Sequence, residues 1–565
     1  MEHMKFKDYE YFQPKFEEDK KLLLSLIENI KTSITLTKTL ENIHAFNVTR
    51  GNIQTLFAIA NIRYTSDTSN SYYREENRFW NEHLPLYESI FFEFELSILN
   101  SPFKDKIKQQ FGKQYFTILE LNQQSFSNEI LSDIQEENNL ISSYVNLLAS
   151  AKITYNKNIY NLSEISYFNF SNDRKIRKDS NEAKYNFFRE SEYEIDTIFD
   201  NLVKIRDKMA KKLGYENYVQ LGYIKMKRNG YSIYDIRKFR ENIAKYVVPL
   251  AGELYEKQKK RFSLETLNYY DENMEFPQNN LSINFNYVDL LEKFEEIFNE
   301  MSPQTSSLFN FLKKRELLDL KTRKNKALGG YCTYIWNHGA PFIFANFNNT
   351  YNDIRTFTHE IGHALHSYLS KWIDIPGYRC TFECAELHSM SMELFVFPWI
   401  DKIFEKNINK YKFAILTSAI KFIPYAAAID EFQEKVYENS NLTPKDRKKL
   451  WQLVEKKYLP HRNYSESDFL EAGNWWVQQA HIFKTPFYYI DYALAEVSAL
   501  QFISKIETNY AKALNDYLGI CNVGGLYSFL ELLQKANLKS PFEENTLQLL
   551  VNEIKEKLNA LESSI

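Results

Sequence analysis

Apolar residues recur at intervals of three and four positions over most of the 565-residue chain, which predicts a protein built mainly of α-helices. The helical spacing is clearest from about Phe16 to Leu148 and again from about Asp173 to Arg261, where Gly214 and Gly230 mark turns. It also dominates the chain after Asn349. No repeat of fixed period is present in the sequence, so the pattern does not indicate an array of identical units.

Two segments have the pattern of β-strands instead. Lys152–Ser166 alternates β-forming residues around Asn156-Lys157-Asn158 and predicts a hairpin. Lys326–Asn349 contains the short apolar runs ALGGYCTY and APFIFANF, separated by Asn337-His338-Gly339, and is the most strand-like part of the chain. A polar, Asn-rich stretch, Asn268–Asn286, predicts a surface connection. We therefore expect a small β element within a helical protein.

The composition supports this fold class and excludes several kinds of protein. Gly and Pro number only 15 and 14, about half their usual share, which argues against folds rich in tight turns and against flexible linkers. Aromatic residues make up 16% of the chain, which excludes wholesale disorder. The 70 basic and 74 acidic residues leave a net charge of −4 without a long basic block, so no nucleic-acid partner is predicted.

The sequence also predicts a cytoplasmic protein with no membrane partner. The N-terminal residues MEHMKFKDYEYF include acids and aromatics where a signal peptide needs an apolar run. The most apolar stretch, Phe413 to Ile429, is interrupted by Lys421 and Pro424 and falls short of a membrane span. The four cysteines are too few and too scattered for a disulfide framework.

The strongest chemical signal is the HExxH pattern His359-Glu360-Ile361-Gly362-His363, inside a predicted helix from about Asn352 to Ser370. Histidines four positions apart face the same way, so both imidazoles can reach one metal ion. Glu360 is offset by about 100° around the helix axis and can hold a water molecule beside the metal without being a ligand. Asp353 can cap this helix, whose apolar stripe is Ile354, Phe357, Ile361, Leu365 and Leu369. Chance predicts at most about 0.02 such HExxH patterns in a chain with 10 histidines, so we interpret this one as a zinc site.

A zinc site needs a third protein ligand, and the next predicted helix, Phe382–Phe397, offers one. Its residue Glu386 is separated from His363 by 22 residues, enough for the chain to reverse direction, and we predict that Glu386 is the third ligand. Glu383, one turn before Glu386, and Glu393, two turns after it, are candidates to orient the zinc-binding histidines.

Two further histidines lie near the motif but are not predicted ligands. His366 is about 10.5 Å along the helix axis from His359 and cannot share its metal ion. His388 is two positions from Glu386, on another face of the helix, and is predicted to pack or to form hydrogen bonds.

The sequence HEIGHALH, followed by AELHSMSME, resembles the M3 family of zinc peptidases, the thimet oligopeptidase and oligoendopeptidase F group, and is most similar to its shorter Pz-peptidase type. The segments that also look like that subgroup are Gly329–Tyr334, Ala340–Asn348, Tyr458–Ser465 and His481–Val497. Gly473-Asn474 departs from the Gly-Gly-like loop of the family. The resemblance implies a large helical clamshell whose deep channel admits short peptides, with the small β element next to the zinc-binding helices.

The resemblance also implies one zinc ion per chain, with His359, His363 and Glu386 as its ligands and Glu360 as the general base. In thimet-type enzymes a histidine and two tyrosines, the latter three positions apart, contact the substrate.

In this chain the corresponding residues lie in HIFKTPFYYIDY. Tyr488 and Tyr489 pair with Tyr492 at spacings of four and three, and the family spacing favours Tyr489. We predict that His481 and Tyr492 stabilise the oxyanion of peptide hydrolysis and that Tyr488 or Tyr489 binds substrate.

The sequence therefore predicts a zinc metalloendopeptidase that hydrolyses internal bonds of short oligopeptides, with a helical region at residues 1–150 and a catalytic region at 151–565. APFIFANFN is expected to present a strand edge to which the backbone of the peptide adds. One alternative is another HExxH zinc hydrolase such as an aminopeptidase, although no feature for gripping a free amino terminus stands out. The other is a non-hydrolytic helical peptide-binding protein, which the presence of Glu360 disfavours.

Overall fold

The computed structural model describes residues 4–277, 281, 286–327, 329–347, 350–373, 375–376 and 378–565 of the protein. Helices dominate these residues and the strands are few and short, which confirms the predicted mainly α fold class. Parts of the predicted connection Asn268–Asn286 and of the strand-like segment Lys326–Asn349 lie outside the described residues.

In chain order, the helices begin with α1 (Phe16–Thr32), α2 (Leu36–Ser66), α3 (Ser71–Leu99), α4 (Lys104–Phe111), α5 (Lys113–Ser125), α6 (Leu131–Ala149), α7 (Leu162–Ser166), α8 (Arg174–Glu190), α9 (Glu192–Lys212), α10 (Tyr218–Lys225), α11 (Ile233–Asn242), α12 (Val248–Arg261) and α13 (Tyr287–Met301). They continue with α14 (Pro303–Lys314), α15 (Tyr351–Leu369), α16 (Phe382–Phe395), α17 (Asp401–Phe404), α18 (Ile408–Glu438), α19 (Pro444–Tyr458), α20 (Asp468–Glu471), α21 (Ala480–Lys484), α22 (Tyr489–Leu500), α23 (Phe502–Cys521), α24 (Phe529–Lys535) and α25 (Glu544–Glu562). The strands are β1 (Ile153–Tyr155), β2 (Asn158–Tyr160), β3 (Leu318–Lys321), β4 (Tyr331–Ile335) and β5 (Ala340–Phe347).

The chain divides into two compact units, each assembled from segments that are distant in sequence. Unit 1 comprises Met1–Gln123, Ile283–Lys406 and Ala499–Leu538. Unit 2 comprises Gln124–Ser282, Asn407–Ser498 and Lys539–Ile565. The functional division that we predict at residue 150 stays a prediction.

Unit 1 buries a large apolar cluster contributed mainly by α1 to α5. Within it the rings of Phe46 and Phe94 stack at 3.8 Å between centroids. Tyr378, from the segment between α15 and α16, belongs to the same cluster, and its hydroxyl donates a hydrogen bond to the carbonyl oxygen of Gly525. The segment that follows α15 is therefore anchored to the apolar core of unit 1.

The sheet of unit 1 has the strand order β3–β5–β4. β5 is parallel to β3, and it is antiparallel to β4, with Tyr331 opposite Phe344 and Ile335 opposite Ala340. The expectation that APFIFANFN presents a free edge is therefore wrong, because β3, a short strand with the polar sequence LDLK, covers one side of β5. Among the described residues, no backbone group outside the sheet pairs with the outer edge of β4.

In unit 2 the predicted hairpin is confirmed, although its strands end at Tyr160, before α7 begins. Asn156 and Lys157 take φ angles of 47° and 65°, as a two-residue hairpin turn of type I′ requires. The core of unit 2 contains α18, which includes the most apolar stretch of the sequence. Among the described residues, α18 is the one helix that is long and apolar enough to cross a membrane. However, 78% of its most apolar 18-residue stretch is buried inside the protein.

A capping box at its N-terminus stabilises the start of α15, the helix that carries the HExxH pattern. Thr350 is its N-cap, and the Asp353 carboxylate accepts a hydrogen bond from the backbone N–H of Thr350 at 3.2 Å. Asp353 thus stabilises the start of α15 as the partner of the cap residue in a capping box, and not as the cap residue itself. The predicted apolar stripe is buried at Ile354, Phe357, Ile361 and Leu365 and half-buried at Leu369.

Gly362, in the middle of the HExxH pattern, allows α16 to approach α15 closely. A β-carbon at this position would lie only 2.6 Å from the carbonyl oxygen of His388 and 2.6 Å from the Cα of Ser389. Any other residue would push the two helices apart and would separate the groups that they bring together.

Candidate metal centre

The three predicted metal ligands, His359, His363 and Glu386, come together in unit 1. Their ligand atoms all lie within 4.8 Å of one another. Glu386 Oε2 is 3.2 Å from His359 Nε2 and 3.6 Å from His363 Nε2. Four ligands in tetrahedral array around a zinc ion are spaced by about 3.4 Å when each bond is about 2.1 Å. The identity and the spacing of these donors therefore fit zinc.

The protonation equilibria of the two histidines are consistent with this fit. Burial lowers the pKa of His363 to about 4, so its imidazole is neutral and keeps a lone pair for a metal ion. Burial also acts to lower the pKa of His359, but hydrogen bonds to Glu386 and Glu393 outweigh it and raise that pKa well above its ordinary value. A metal ion would take the place of the proton that these carboxylates favour.

Glu393 lies where the sequence predicts an acid that orients a histidine. Its Oε1 accepts a hydrogen bond from Nδ1 of His359 at 2.8 Å, which leaves Nε2 as the nitrogen that faces Glu386. Its Oε2 accepts a second bond from Nε of Arg355 at 2.7 Å. Burial acts to raise the pKa of Glu393, but Arg355 and His359 together lower it below its usual value, so the carboxylate stays charged.

Sequence reasoning missed two side chains of this arrangement. Arg355 stands four positions before His359 on α15, a spacing that places the two side chains on one face of the helix and could have revealed it. Ser389 donates from Oγ to Oε2 of Glu386 at 3.0 Å. Glu383, the other acid predicted to orient a histidine, is fully buried one turn before Glu386, and its role stays a prediction.

Glu360, the predicted general base, is buried beside the three ligands. Its Oε2 has no hydrogen-bond partner within the part of the chain that the structure describes. Burial raises the pKa of Glu360 to about 7, to which the charges of Glu386 and Glu393 also contribute, while His359 acts in the opposite direction. A carboxyl group of this pKa can both accept and return a proton near neutral pH.

His366 and His388 are packed against each other, which agrees with the packing predicted for His388. Their rings stack at 4.1 Å with an interplanar angle of 16°, and Sγ of Cys380 is 3.5 Å from Nε2 of His366. Burial lowers the pKa of both histidines, to about 3 for His388. Parallel stacked rings cannot both direct a lone pair at one ion, so this cluster is a neutral packing contact.

The second group of predicted site residues lies in unit 2, where His481 contacts all three tyrosines. Its ring centroid is 5.8 Å from that of Tyr488, 4.9 Å from that of Tyr489 and 5.9 Å from that of Tyr492. The ring centroids of Tyr488 and Tyr489 are 4.9 and 5.6 Å, respectively, from that of Tyr492. The structure therefore brings both candidates for the second tyrosine next to Tyr492.

Hydrogen bonds around Gln479 fix the state of the His481 ring. Tyr425 donates to Oε1 of Gln479 at 3.0 Å, which directs the Gln479 Nε2 group to Nδ1 of His481 at 2.8 Å. Because Nδ1 accepts this bond, the proton of a neutral ring resides on Nε2, and His481 can serve as a donor through that atom. No pattern in the sequence indicates this role of Gln479.

A buried cation holds the segment between His481 and Tyr492. Phe487 has a φ of 69°, a costly backbone conformation for a residue with a large side chain. Arg228 donates to the carbonyl oxygen of Phe487 and forms an ion pair of 2.7 Å with Asp491. Arg228 thereby fixes the turn that precedes α22, which carries Tyr489 and Tyr492.

Comparison with known families identifies both parts of the chain. Residues 168–551 match the model of peptidase family M3, and residues 6–126 match the model of the peptidase M3 N-terminal domain. The chain is 25% identical to an oligoendopeptidase F homolog of Borreliella burgdorferi and 22% identical to one of Lactococcus lactis subsp. lactis. Each alignment covers 70% of this chain, and 67% and 66% of the length of the respective relative.

Solved structures extend the similarity over almost the whole chain. Pz peptidase A, solved with an inhibitor, is 40% identical, with a TM-score of 0.95 over 99% of this chain and 100% of that one. A protein described as an oligoendopeptidase F from Bacillus anthracis is also 40% identical, with a TM-score of 0.91 over 99% of both chains. These findings confirm the predicted resemblance and do not favour either alternative function. The chain belongs to peptidase family M3 and is an oligopeptidase.

Proposed function

We propose that this oligopeptidase is a zinc-dependent endopeptidase that binds one zinc ion through His359, His363 and Glu386 and uses Glu360 as its general base. The observation that carries the proposal is the convergence of two imidazole nitrogens and one carboxylate oxygen, all within 4.8 Å, next to the buried carboxylate of Glu360. When bound, zinc supplies a Lewis acid that polarises the carbonyl group of the scissile bond and activates water at neutral pH.

The residues around the ligands supply the proton transfers and the alignment. Glu360 takes a proton from the attacking water and gives it to the leaving amine, a role that suits its pKa of about 7. Glu393 holds the proton of His359 on Nδ1 and is itself held by Arg355, so the ring that faces Glu386 cannot rotate freely.

We propose that His481 and Tyr492 donate hydrogen bonds to the oxyanion that forms when water attacks the peptide carbonyl. The support is chemical: His481 can donate through Nε2, and the Tyr492 ring lies 5.9 Å from the His481 ring. Tyr488 and Tyr489 flank the pair and are proposed to bind substrate. Tyr489 also packs against Phe422 and Tyr425.

The outer edge of β4 is the proposed binding site for the peptide backbone. Pro341, opposite Tyr334, has no N–H, which favours a non-hydrogen-bonded pair there and at Cys332, two residues earlier. The N–H and C=O groups of Cys332 and Tyr334 then face the outer edge, where an extended peptide can pair with them. Main-chain bonds of this kind give affinity with little sequence preference, as an oligopeptidase requires.

A quenched peptide with a blocked amino terminus tests this function directly. We expect cleavage at an internal bond, loss of cleavage after removal of zinc by a chelator, and recovery when one equivalent of zinc per chain is restored. Under native conditions a stable folded protein should remain intact. Cleavage only of peptides with a free amino terminus would indicate an aminopeptidase instead, and full activity in the metal-free protein would exclude the zinc mechanism.

Tyr492→Phe separates oxyanion stabilisation from packing, because it removes one hydroxyl group and keeps the ring. We expect the turnover number to fall by about 10²- to 10³-fold, with a smaller change in KM, since the hydroxyl acts mainly in the transition state. Steady-state kinetics on one peptide measure both constants. Tyr488→Phe is the matched comparison, and turnover of Tyr492→Phe within a few-fold of wild type would transfer the role to Tyr488, Tyr489 or His481.

A further inference from the structure

Arg379 is an exposed cation that the proposed chemistry does not use. It lies between α15 and α16, directly after the anchored residue Tyr378, and its side chain is exposed. Its guanidinium carbon is 4.6 Å from the ring centroid of Tyr334 and 4.8 Å from that of Trp336. Among the described residues it has no hydrogen bond and no ion pair, in contrast to Arg355, which is paired with Glu393.

The two aromatic rings position this cation without neutralising it. Cation–π contacts hold the guanidinium in place, while the N–H groups of its planar fork have no acceptor among the described residues. A carboxylate is the group that matches such a fork, because it can accept two parallel hydrogen bonds. The site is therefore preorganised for a carboxylate that the protein itself does not provide.

Arg379 lies beside one end of β4, and the other end of this strand lies beside the proposed active site. Alternation along the strand puts Gly330, Cys332 and Tyr334 on one face. A β-carbon on Gly330 would lie 3.7 Å from Oε1 of Glu360, so this end of the face is next to the proposed general base. The other end, at Tyr334, carries Arg379.

Cys332 lies between these two ends, and the charges of Glu360 and Arg379 both act on its thiol. Burial raises the pKa of its thiol well above the ordinary value, the charge of Glu360 raises it further, and the charge of Arg379 lowers it. Both charged groups are thus within electrostatic reach of the same residue in the middle of the face.

The distance between the ends is that of a short peptide. Gly330 and Tyr334 are four residues apart, or about 13 Å along an extended strand. A peptide paired with the outer edge of β4 has the same rise per residue. When its scissile bond lies at Glu360, the residue about four positions away lies beside Tyr334 and Arg379.

We propose that Arg379 is a substrate-binding residue that pairs with a carboxylate of the peptide about four residues from the cleaved bond. The inference rests on the proposed function and on pairing of the peptide with β4. Two peptide groups have this chemistry, the C-terminal carboxylate and the side chain of Asp or Glu. Arg379 therefore selects cleavage sites by their distance from a negative charge.

Synthetic decapeptides test the proposal. One set carries Asp or Asn at each position in turn, with both termini blocked, and a second set of neutral peptides carries a free or an amidated C-terminus. Mass spectrometry identifies the bond that is cut, and kcat/KM is measured for each pair. For wild type we expect the carboxylate member to be preferred by about 10- to 100-fold at one distance, near four residues, mainly through KM.

Variants of Arg379 decide whether this residue is the cause. In Arg379→Gln the ratio of kcat/KM within the preferred pair should fall to about one, and Arg379→Glu should prefer the uncharged member of that pair over the carboxylate member. Arg74→Gln, which removes an exposed arginine from α3 of the same unit, is the matched control and should keep the wild-type ratio. Preference in the first peptide set assigns the site to an acidic side chain, and preference in the second set assigns it to the C-terminus.

The outcomes separate this proposal from the function on which it rests. If wild type cuts the members of every pair equally, or if Arg379→Gln keeps the preference, Arg379 does not bind a carboxylate, while the peptidase function stands. If wild type with zinc cuts none of the peptides in either set, the proposed function itself fails.

Discussion

Replacement of Glu360 by Gln is expected to lower the turnover number by about 10²- to 10⁴-fold, the range that a positioned general base contributes. Gln has the size of Glu but cannot accept the proton of the attacking water at neutral pH. Since Glu360 is beside the predicted ligands and not among them, the variant should keep a full equivalent of zinc. A quenched-peptide assay measures turnover, and atomic absorption after gel filtration measures the metal.

Stability provides the control for this substitution. Glu360 is buried, and its Oε2 has no hydrogen-bond partner in the described part of the chain, so the charged form is costly in the wild-type protein. Gln removes that charge, and we expect the melting temperature of the variant to equal or exceed that of wild type. Wild-type turnover in Glu360→Gln would show that another group is the base, whereas loss of the metal would make Glu360 a ligand.

The convergence of His359, His363 and Glu386 can be predicted from the sequence because it depends on local spacing. Two histidines four positions apart on a helix must share a face, whatever the rest of the fold is, and the structure places His359 and His363 accordingly. The choice of Glu386 needed only that α16 return along α15. The 22 intervening residues allow this return, and Gly362 permits the close contact.

The features that the sequence does not predict depend on contacts between distant segments. The polar strand β3 pairs with β5, so that β4 and not β5 lies at the edge of the sheet. The four residues of β3 have no clear strand pattern in the sequence. Arg228 is separated from Asp491 by more than 260 positions, and nothing in either segment indicates the ion pair that fixes the turn at Phe487. Tertiary contacts decide such features, and local patterns cannot reveal them.

Loss of the metal is the second large effect, and it is expected from Glu386→Ala. This change removes a charged donor that faces both imidazoles, at 3.2 and 3.6 Å, and leaves a site with two neutral nitrogen ligands. We expect the purified variant to contain almost no zinc and to have no measurable peptidase activity. His359→Ala should behave in the same way, because it removes one of the two nitrogen ligands.

Glu393→Gln is the matched variant that separates a ligand from a residue that orients one. It also removes a buried carboxylate from α16, but Glu393 contacts Nδ1 of His359 and not the nitrogen that faces Glu386. Zinc should still bind, with an affinity reduced by about 10- to 100-fold, as titration against a competing chelator would measure. Stoichiometric zinc in Glu386→Ala would remove Glu386 from the ligand set. Complete loss of zinc in Glu393→Gln would instead show that the orientation of His359 is as necessary for binding as the ligand itself.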